Sequence, residues 1–380
     1  MILGLSEMEE TGLDLIETGL WFRIPVMTLR TLTLHDFRNH TEQTFAFDKD
    51  IVVFVGGNGK GKTNILEAIS ILSVGKSWRE TLSSDLIRNG EASAQIQATT
   101  DTDDHFKIQI QPQSRTFARN DKKMTRKKFF GQIPTLLFAP EHLHLFAGAK
   151  RERQKFFDRV LSQLSPVYRE NLSRADKATR QKNALLRQME EVIPGSNPGL
   201  EEIQPWNEIL AEVIPEIWRE RTAFLAALTE PLQQQLSDIS GAPDPITVRL
   251  HTPEIYEPTS EGVRDFFRHN FARECAARKS FLGPHRDDFV FTLRNRPLLA
   301  TASRGEERSV LLALLAAQKN HLSEQLGVVP ILLLDDCFSE LDADRQAALE
   351  TLCKDSQVFF TTTHGEHFAQ FDGDVQVFEI

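Results

Sequence analysis

Cysteine is scarce in this 380-residue chain, which carries Cys275, Cys337 and Cys353. Three widely spaced cysteines cannot build a disulfide framework or a cysteine-based zinc site, so we expect a reducing, cytoplasmic compartment. Long apolar runs are missing as well. None approaches the roughly twenty residues that cross a bilayer, which predicts no membrane partner. The amino-terminal stretch MILGLSEMEETGLDLIETGL is acidic where a secretory signal would be basic, so export is not expected.

Positive charge is not in excess either, because 44 Lys and Arg face 54 Asp and Glu and give a formal net charge of −10. That balance argues against a uniformly basic nucleic-acid coat, so any nucleic acid must bind a local patch. Two segments, Arg115–Phe130 and Ala149–Arg159, are locally basic and could attract phosphate backbones. Such runs are as often solvated faces of hairpins and helices, so both interpretations stay open.

Glycine is concentrated in GGNGKGKTN, residues 56–64, directly after the apolar run Ile51–Val55. The pattern G-x-x-x-x-G-K-[ST] is typical of a phosphate-binding loop between a buried strand and a helix. In that interpretation Lys62 reaches the β- and γ-phosphates of ATP and Thr63 ligates Mg²⁺. An ordinary glycine-rich loop is the alternative. The remaining loop residues, whose backbone would cradle the phosphates, are Gly56, Gly57, Asn58, Gly59, Lys60 and Gly61.

A second candidate motif is ILLLDD, residues 331–336, an apolar run that ends in two carboxylates. A buried parallel strand delivers such an acid to the carboxyl edge of the sheet, where ligands bind. Asp335 is then expected to hold Mg²⁺ through water, and Asp336 to orient or deprotonate the attacking water. Alone, the motif could be any strand that runs into a turn.

Between these motifs, the stretch TASRGEERSVLLALLAAQ, residues 301–318, predicts a buried helix. Ser303 and Glu306 have the spacing of an N-terminal capping box. One interpretation is a well-capped core helix and nothing more. The other is that Ser303 and Gly305 open a helix whose N-terminus faces a nucleotide.

Six stretches follow one another along the chain: LTLHDFRNH, FVGGNGKGKTNILEAI, LLFAPEHLHLF, SRADKATRQKNALLR, FLGPHRDDFVF and ILLLDDCFSELD. In this order they resemble the RecF family, which is related to the SMC and Rad50 ATPases. The similarity begins near Met27 and runs to the end of the chain. The resemblance implies an α/β fold: an ABC-ATPase (P-loop) head with an antiparallel side sheet and an inserted compact helical arm.

The resemblance also implies roles for individual residues. Ser303 is similar to the signature serine, which with Gly305 would contact the γ-phosphate held by a second subunit, so ATP would drive homodimerisation. Asp342 falls in SELD, which resembles the D-loop at that interface. The other residues that fall where relatives contact the nucleotide are Arg38, Asn39, Asn58 and Arg79, and His364 lies near the place of a switch histidine.

Two departures from the family pattern stand out. Glu306 replaces the usual glutamine of the signature, and a carboxylate there would repel a γ-phosphate unless it points away or is protonated. The second departure is the segment 1–26, which precedes the family-like start at Met27. We expect this segment to be an extension that is disordered, loosely docked or not native.

The length of the chain predicts two domains, and its 40% hydrophobic and 26% charged residues are typical of a soluble globular protein. We expect the head to comprise 27–139 and 279–380, and the helical arm to comprise 140–278. The arm is too short for the coiled coil of SMC relatives and lacks sustained heptads. The alternating stretches ASAQIQATT, HFKIQIQP and RTFARN predict the side sheet.

One motif has no clear chemical assignment, GPHRDD, Gly283–Asp288. Gly-Pro predicts a turn before a strand. The residues His285, Asp287 and Asp288 include acid and base types but lack the spacing of a known metal site. We favour structural support at the point where the chain re-enters the head.

The resemblance implies an ATP-dependent clamp on single-stranded, double-stranded or gapped DNA, with ATP and Mg²⁺ as cofactors. It implies slow ATP hydrolysis, recombinase loading, recombinational repair, replication restart and a part in the SOS response, with RecO and RecR as partners. Two other classes stay open. One is a nucleotide-gated scaffold without significant hydrolysis, and the other is an ABC-type motor of another system. A nuclease is disfavoured because no further acidic cluster is evident.

Overall fold

The computed structural model describes residues 24–79, 82–189, 200–254, 257–338, 341–363 and 374–380. The strands are β1 (Leu29–Phe37), β2 (His40–Ala46), β3 (Ile51–Val55), β4 (Ala94–Thr100), β5 (His105–Ile110), β6 (Arg115–Arg119), β7 (Lys122–Met124), β8 (Thr135–Phe138), β9 (Ile246–His251), β10 (Asp288–Leu293), β11 (Arg296–Pro297), β12 (Ile331–Asp335), β13 (Val358–Thr362) and β14 (Val375–Glu379). The helices are α1 (Lys62–Val74), α2 (Arg126–Phe129), α3 (Lys150–Leu164), α4 (Pro166–Gln188), α5 (Leu200–Ser240), α6 (Ser260–Ala277), α7 (Leu298–Thr301), α8 (Arg304–Leu326) and α9 (Ala343–Cys353).

A five-stranded parallel sheet, ordered β14-β3-β13-β12-β8, forms the centre of the fold. Successive side chains of a strand point to opposite faces. In β3, Val52 and Phe54 pack towards α1 and the antiparallel sheet, while Val53 packs towards α5 and α8. Burial on both faces explains why β3 and β12 read as continuous apolar runs. Strand β12 ends at Asp335, and Asp336 follows it directly.

The antiparallel side sheet has six strands in the order β2-β1-β4-β5-β6-β7. Burial alternates along β4, as expected for a sheet with one face on the core. Its strands β4, β5 and β6 correspond to the three alternating stretches of the sequence, and the basic segment Arg115–Phe130 forms β6, β7 and α2. The strands of the side sheet therefore lie where the alternating pattern of the sequence predicts them.

Four helices, α3 to α6, occupy most of the range expected for the arm. Their apolar faces share one continuous core with α8 and one face of the parallel sheet. The strand β9 pairs with β10, so a three-stranded sheet joins residues on both sides of the expected boundary at 278. Among the described residues, no helix combines the length and apolar character that crossing a bilayer requires.

A buried ionic network ties the arm helices to GPHRDD. The guanidinium of Arg221, which is fully buried on α5, donates to both carboxylate oxygens of Asp158 at 2.8 and 3.0 Å and to the Tyr168 hydroxyl at 2.9 Å. It also donates to Asp287 at 2.5 Å, and the Trp218 indole donates to the same carboxylate at 3.0 Å. A buried charge needs such partners because desolvation is costly.

We predict that Arg221→Leu lowers the free energy of unfolding by about 3–5 kcal/mol, because it leaves two carboxylates without their counter-charge. Urea denaturation measures this change. The matched control is Arg219→Leu, since that side chain is 69% exposed and pairs with Glu216. The control should stay within about 0.5 kcal/mol of the wild type. Equal midpoints for Arg221→Leu and the wild type would contradict the assigned importance of the network.

Candidate nucleotide site

The loop between β3 and α1 has the backbone that a phosphate cradle needs. Gly61 caps α1 with a φ of +109°, and Gly59 has a φ of +78°, both in the region that favours glycine. A Cβ atom on Gly61 would lie 2.6 Å from the Asn39 amide and 2.8 Å from Nε2 of His40. Glycine at this position is therefore required by both conformation and space.

The side chain of Lys62 curls back over the loop. Its Nζ donates to the carbonyl oxygens of Gly56 at 2.6 Å and Gly57 at 3.0 Å, and the residue is 7% exposed. Both acceptors are neutral, so these contacts hold the ammonium in position without cancelling its charge. The intervening residues 57–60, including Asn58, are exposed. This arrangement concentrates positive potential at the mouth of the loop.

The acid strand meets the loop directly. The hydroxyl of Thr63 donates to Oδ1 of Asp335 at 2.8 Å, although the two residues are 272 positions apart. The hydroxyl of Thr361 donates to the same oxygen at 2.6 Å, and Asp335 is only 5% exposed. A buried carboxylate flanked by a threonine hydroxyl provides hard oxygen ligands of the kind that Mg²⁺ prefers.

Asp336 lies beside this carboxylate in a left-handed conformation, with a φ of +45°. Its N–H points at Thr361, whose carbonyl oxygen is at 3.2 Å and whose Oγ1 is at 3.0 Å. Thr361 thus contacts both acids, because β13 lies next to β12 and pairs Thr361 with Asp335. Sequence reasoning missed Thr361. Its signal was a hydroxyl at the end of the apolar strand VFF.

The turn between β1 and β2 packs against the loop. The Asn39 amide donates to the carbonyl of Lys60 at 2.8 Å and accepts from the Asn64 amide at 2.7 Å. A ring nitrogen of His40 lies 3.2 Å from the carbonyl of Gly61. Asn39 therefore touches the loop from one side, and His40 is a contact that sequence reasoning did not identify.

Glu67 is the residue that organises the arginines near the loop. It is fully buried on α1, and its two carboxylate oxygens accept from Arg38 at 2.8 and 2.9 Å. Arg79 lies 3.6 Å from the same carboxylate and donates to Asn64 at 2.8 Å, and the Ser77 hydroxyl also donates to Glu67. Sequence reasoning missed Glu67. An acid inside the apolar stripe of α1 was the available signal.

The helix α8 begins with the capping box that the sequence predicts. Ser303 is the N-cap, and its Oγ accepts from the Glu306 N–H at 3.3 Å. Glu306 Oε2 accepts from the Ser303 N–H at 2.7 Å. The box satisfies two helix-end donors reciprocally and leaves other N–H groups of the first turn directed outwards.

Arg345 connects this helix end to the start of α9. Asp342 is the N-cap of α9 and accepts from the backbone N–H of Arg345 at 3.1 Å and from its guanidinium at 2.9 Å. The same guanidinium donates to Ser309 at 3.2 Å and packs over Gly305. The structure thus gathers Ser303, Gly305 and Asp342 in a second group, apart from the residues gathered around the loop.

The departure at Glu306 has a local explanation. Its Oε1 accepts from Arg294, which also donates to Asp244 at 2.6 Å. The N–H of Ser303 and then the guanidinium of Arg294 lower the pKa of Glu306 to about 2. The carboxylate is therefore ionised at neutral pH, and its charge is directed at Arg294 and the helix end. Protonation is therefore excluded as a way to avoid repelling a phosphate. The carboxylate stays at the helix end, where the guanidinium of Arg294 compensates its charge.

Three residues singled out in the sequence, Ser339, Glu340 and His364, lie outside the described residues. The segment 1–26 is described only from residue 24 onwards. These expectations stay predictions.

Three cations of the basic segment Ala149–Arg159 bind other parts of the fold. Arg153 binds both oxygens of Asp288 at 2.8 and 2.9 Å, and Lys150 donates to the carbonyl of Arg286 at 2.9 Å. Arg159 donates to Ser70, and burial lowers its pKa to about 10. These contacts favour the structural interpretation for this segment.

GPHRDD behaves as structural support in the same way. Asp287 joins the Arg221 network, and burial raises its pKa to about 7 against the opposing effect of that guanidinium. Burial and then Arg286 lower the pKa of His285 to about 4. Within the described ranges, no group of three His, Cys, Asp or Glu side chains could hold a metal ion.

A phosphate loop on a central parallel strand, an acid at the end of a neighbouring strand and an antiparallel side sheet together define an ABC-type ATPase head. The family model "RecF/RecN/SMC N terminal domain" matches residues 28–380. The chain belongs to the RecF family, which confirms the resemblance and the fold class inferred from the sequence.

The similar proteins described next are all RecF proteins. The DNA replication and repair protein RecF of Leptospira interrogans is 31% identical over 92% of this chain and 95% of its own length. The RecF protein of Thermosynechococcus vestitus is 33% identical over 90% of this chain and 92% of its own length. A solved structure of the recombination mediator protein RecF with ATP aligns with a TM-score of 0.81 at 24% identity, covering 95% of this chain and 97% of its own. A second solved structure, of RecF-ATPrS, aligns with a TM-score of 0.81 at 26% identity and covers 94% of this chain and 96% of its own.

We predict that Gly61→Ala destabilises the loop beyond the cost of its positive φ, because the new Cβ displaces Asn39 from its contacts. Gly90→Ala is the matched control, since Gly90 has a φ of +92° but nothing within 4 Å of the added atom. The control should cost about 1 kcal/mol in urea denaturation, and Gly61→Ala should cost more. Equal losses would show that the Asn39 contact contributes nothing.

Proposed function

We propose that this chain is an ATP-dependent DNA-binding clamp for recombinational repair and replication restart at gaps. The observation that carries the proposal is the 2.8 Å hydrogen bond from Thr63 to Asp335, which joins a phosphate loop to an acid strand. The RecF relatives are named for DNA replication and repair, and the solved RecF structures with ATP and ATPrS support nucleotide binding.

The residues at the loop fit an ATP-bound Mg²⁺. The Thr63 hydroxyl and the Asp335 carboxylate are the oxygen groups that would hold the ion, whose charge would offset the cost of burying the carboxylate. When bound, the ion neutralises charge on the phosphates and orients them. Thr361 holds Asp335 in place from the other side.

Each remaining residue of the site has a proposed part in binding or hydrolysis. Lys62 binds the β- and γ-phosphates with the charge that its loop carbonyls leave uncancelled. Asp336 orients the attacking water and accepts its proton. Arg38 and Asn39 contact the nucleotide from the β1–β2 turn. Arg79, which lies beside the Glu67 carboxylate, extends towards a phosphate. Hydrolysis is slow in this proposal and depends on DNA.

A second copy of the chain completes the site. Ser303 and Gly305 open α8, whose outward N–H groups and helix dipole favour an anion. Asp342 lies beside them through Arg345. Because Arg294 compensates the charge of Glu306, the helix end keeps its attraction for a γ-phosphate held by the partner subunit. ATP therefore stabilises a homodimer.

The proposed clamp binds single-stranded, double-stranded and gapped DNA through phosphates, so its affinity falls steeply with salt. RecO and RecR are the proposed partners, by family membership and by the RecFOR pathway named for the solved RecF structure. Recombinase loading and the SOS response are the proposed biological setting.

The test of ATP-driven dimerisation is sedimentation of the full chain with and without ATP, with gapped DNA present. We predict that Lys62→Met abolishes the ATP-dependent dimer, because the phosphates lose their buried cation. Lys60→Met is the matched control, since Lys60 is an exposed lysine of the same loop. A wild-type chain that stays monomeric with ATP, or a Lys62→Met dimer, would refute the clamp.

A second prediction separates hydrolysis from gating. Asp336→Asn should keep ATP binding but slow turnover by about 10² or more, because the water loses its base. The variant should therefore accumulate as an ATP-bound dimer in the same sedimentation assay. Unchanged phosphate release would instead support a scaffold in which ATP only joins two subunits.

A further inference from the structure

Two arginines lie over the aromatic ring of Phe130, and three further cations interact electrostatically with them or with one another; we call all five the Phe130 cluster. The guanidinium carbon of Arg126 lies 5.4 Å from the ring centroid, and that of Arg169 lies 5.7 Å from it. The ring itself packs so closely on Gly75 that a Cβ there would lie 1.7 Å from it. The cluster comprises Lys76, Arg115, Arg126, Arg169 and Arg180.

The hydrogen bonds of this cluster end on neutral oxygens. Arg115 donates to the carbonyl of Gly75 at 2.6 Å and to the Ser83 hydroxyl at 3.0 and 3.3 Å. Arg169 donates to the carbonyls of Ser162 and Lys127 at 3.1 and 2.9 Å. Arg180 donates at 3.3 Å to a backbone carbonyl, that of Asp176. The positive charge of the cluster is therefore held in place without being cancelled.

Many other arginines of the described residues bind carboxylates, although Arg159 and Arg286 donate to a hydroxyl and a backbone carbonyl. Within the same basic segment, Arg119 binds both oxygens of Asp104 at 2.9 and 2.6 Å. In a chain of net charge −10, a group of cations that lacks such pairing is a local exception. Further arginine–carboxylate pairs are Arg38–Glu67, Arg153–Asp288, Arg174–Glu212 and Arg264–Glu208.

Desolvation and, after it, mutual repulsion lower the pKa values of cations in the cluster. Desolvation lowers the pKa of Lys76 most, Arg126 lowers it next, and Arg180 and Arg115 add to the effect, while the single acid Asp176 opposes it. Desolvation followed by Arg126 lowers the pKa of Arg115 as well as that of Arg169. An anion bound here would relieve this repulsion, which is a free-energy gain that an exposed paired arginine does not offer.

The cluster draws on four separate elements, so a small anion could not contact all of its members. Lys76 follows the C-cap of α1, Arg115 starts β6, Arg126 starts α2, and the other two lie on α4. Partial negative charge at the end of α1 helps to hold these cations together. Four of the five are arginines, whose planar forks match phosphate oxygens. An extended polymer with regularly spaced phosphates fits this surface best.

We propose that the Phe130 cluster is a docking surface for the phosphate backbone of DNA, at the opposite end of α1 from the phosphate loop. This inference rests on the proposed DNA-binding function and adds its location. It also separates the two basic segments of the sequence. Arg115–Phe130 contributes to the docking surface, and Ala149–Arg159 supports the fold.

The test is DNA binding by fluorescence anisotropy of the full chain with ATP and Mg²⁺, using a labelled gapped duplex over a series of salt concentrations. The double variant Lys76→Gln plus Arg126→Gln removes two exposed cations that lie outside the phosphate loop. Affinity should fall about tenfold, and the slope of log affinity against log salt should shrink by about 2, or about 1 per lost phosphate contact.

The matched control is Arg219→Gln plus Arg268→Gln, which changes net charge by the same amount. Those side chains are 69% and 61% exposed and pair with carboxylates. Their affinity and salt slope should equal those of the wild type. A charge-conserving variant, Lys76→Arg plus Arg126→Lys, should also bind like the wild type, and its failure to bind would overturn the electrostatic assignment.

The possible failures are distinguishable. If the wild type shows no salt-dependent DNA binding, the proposed DNA function is wrong and the docking surface is wrong with it. If the wild type binds and the cluster variant matches it, or if the control loses as much, only the docking surface is overturned. Displacement of DNA by polyglutamate as effectively as by unlabelled DNA of equal charge would instead identify a dock for acidic protein segments.

Discussion

The contact between Thr63 and Asp335 depends on one constraint, the adjacency of β3, β13 and β12 in a parallel sheet. Parallel strands end at the same edge, so the turn after β3 and the acid at the end of β12 must face each other there. The intervening strand supplies Thr361, which bonds to Asp335 and to the N–H of Asp336. Strand order therefore brings together groups that are 272 positions apart and creates the site.

A second constraint holds helices α3 to α5 against the rest of the fold. Arg221 is fully buried between Asp158 and Asp287, and its desolvation is compensated only when α3, α5 and the GPHRDD turn are all in place. A single buried cation with partners on several elements favours one arrangement over others. The shared apolar core of arm and parallel sheet acts in the same direction. These helices are therefore an integral part of the packed core.

Electrostatics divide the cations of this acidic chain by use. Some are bound to carboxylates and stabilise the fold, as Arg153 is by Asp288. Lys62 is held by carbonyls at the loop, and the Phe130 cluster is held by carbonyls and hydroxyls. Cations of the second kind retain their charge, and Lys150 and Arg159 show that contacts of the same kind also support the fold. Both kinds consist of the same lysine and arginine side chains, so only the atoms that they contact in the fold distinguish them.

The sequence by itself determined the features whose causes lie within a few residues. The apolar run Ile51–Val55 and the glycine-rich pattern after it predicted β3 and α1. The spacing of Ser303 and Glu306 predicted the capping box, since helix geometry alone links i to i+3. Six short stretches were enough to identify the family. The expected boundaries between head and arm, at residues 139–140 and 278–279, stay a prediction.

Only the tertiary structure decided which distant groups meet. It assigned Thr361 to both acids, gave Glu67 its arginines, paired Glu306 with Arg294 and separated the two basic segments. No local pattern encodes these contacts, because each joins elements whose proximity is set by strand order and helix packing. A side chain's charge is written in the sequence, but whether that charge is cancelled depends on what the fold places beside it.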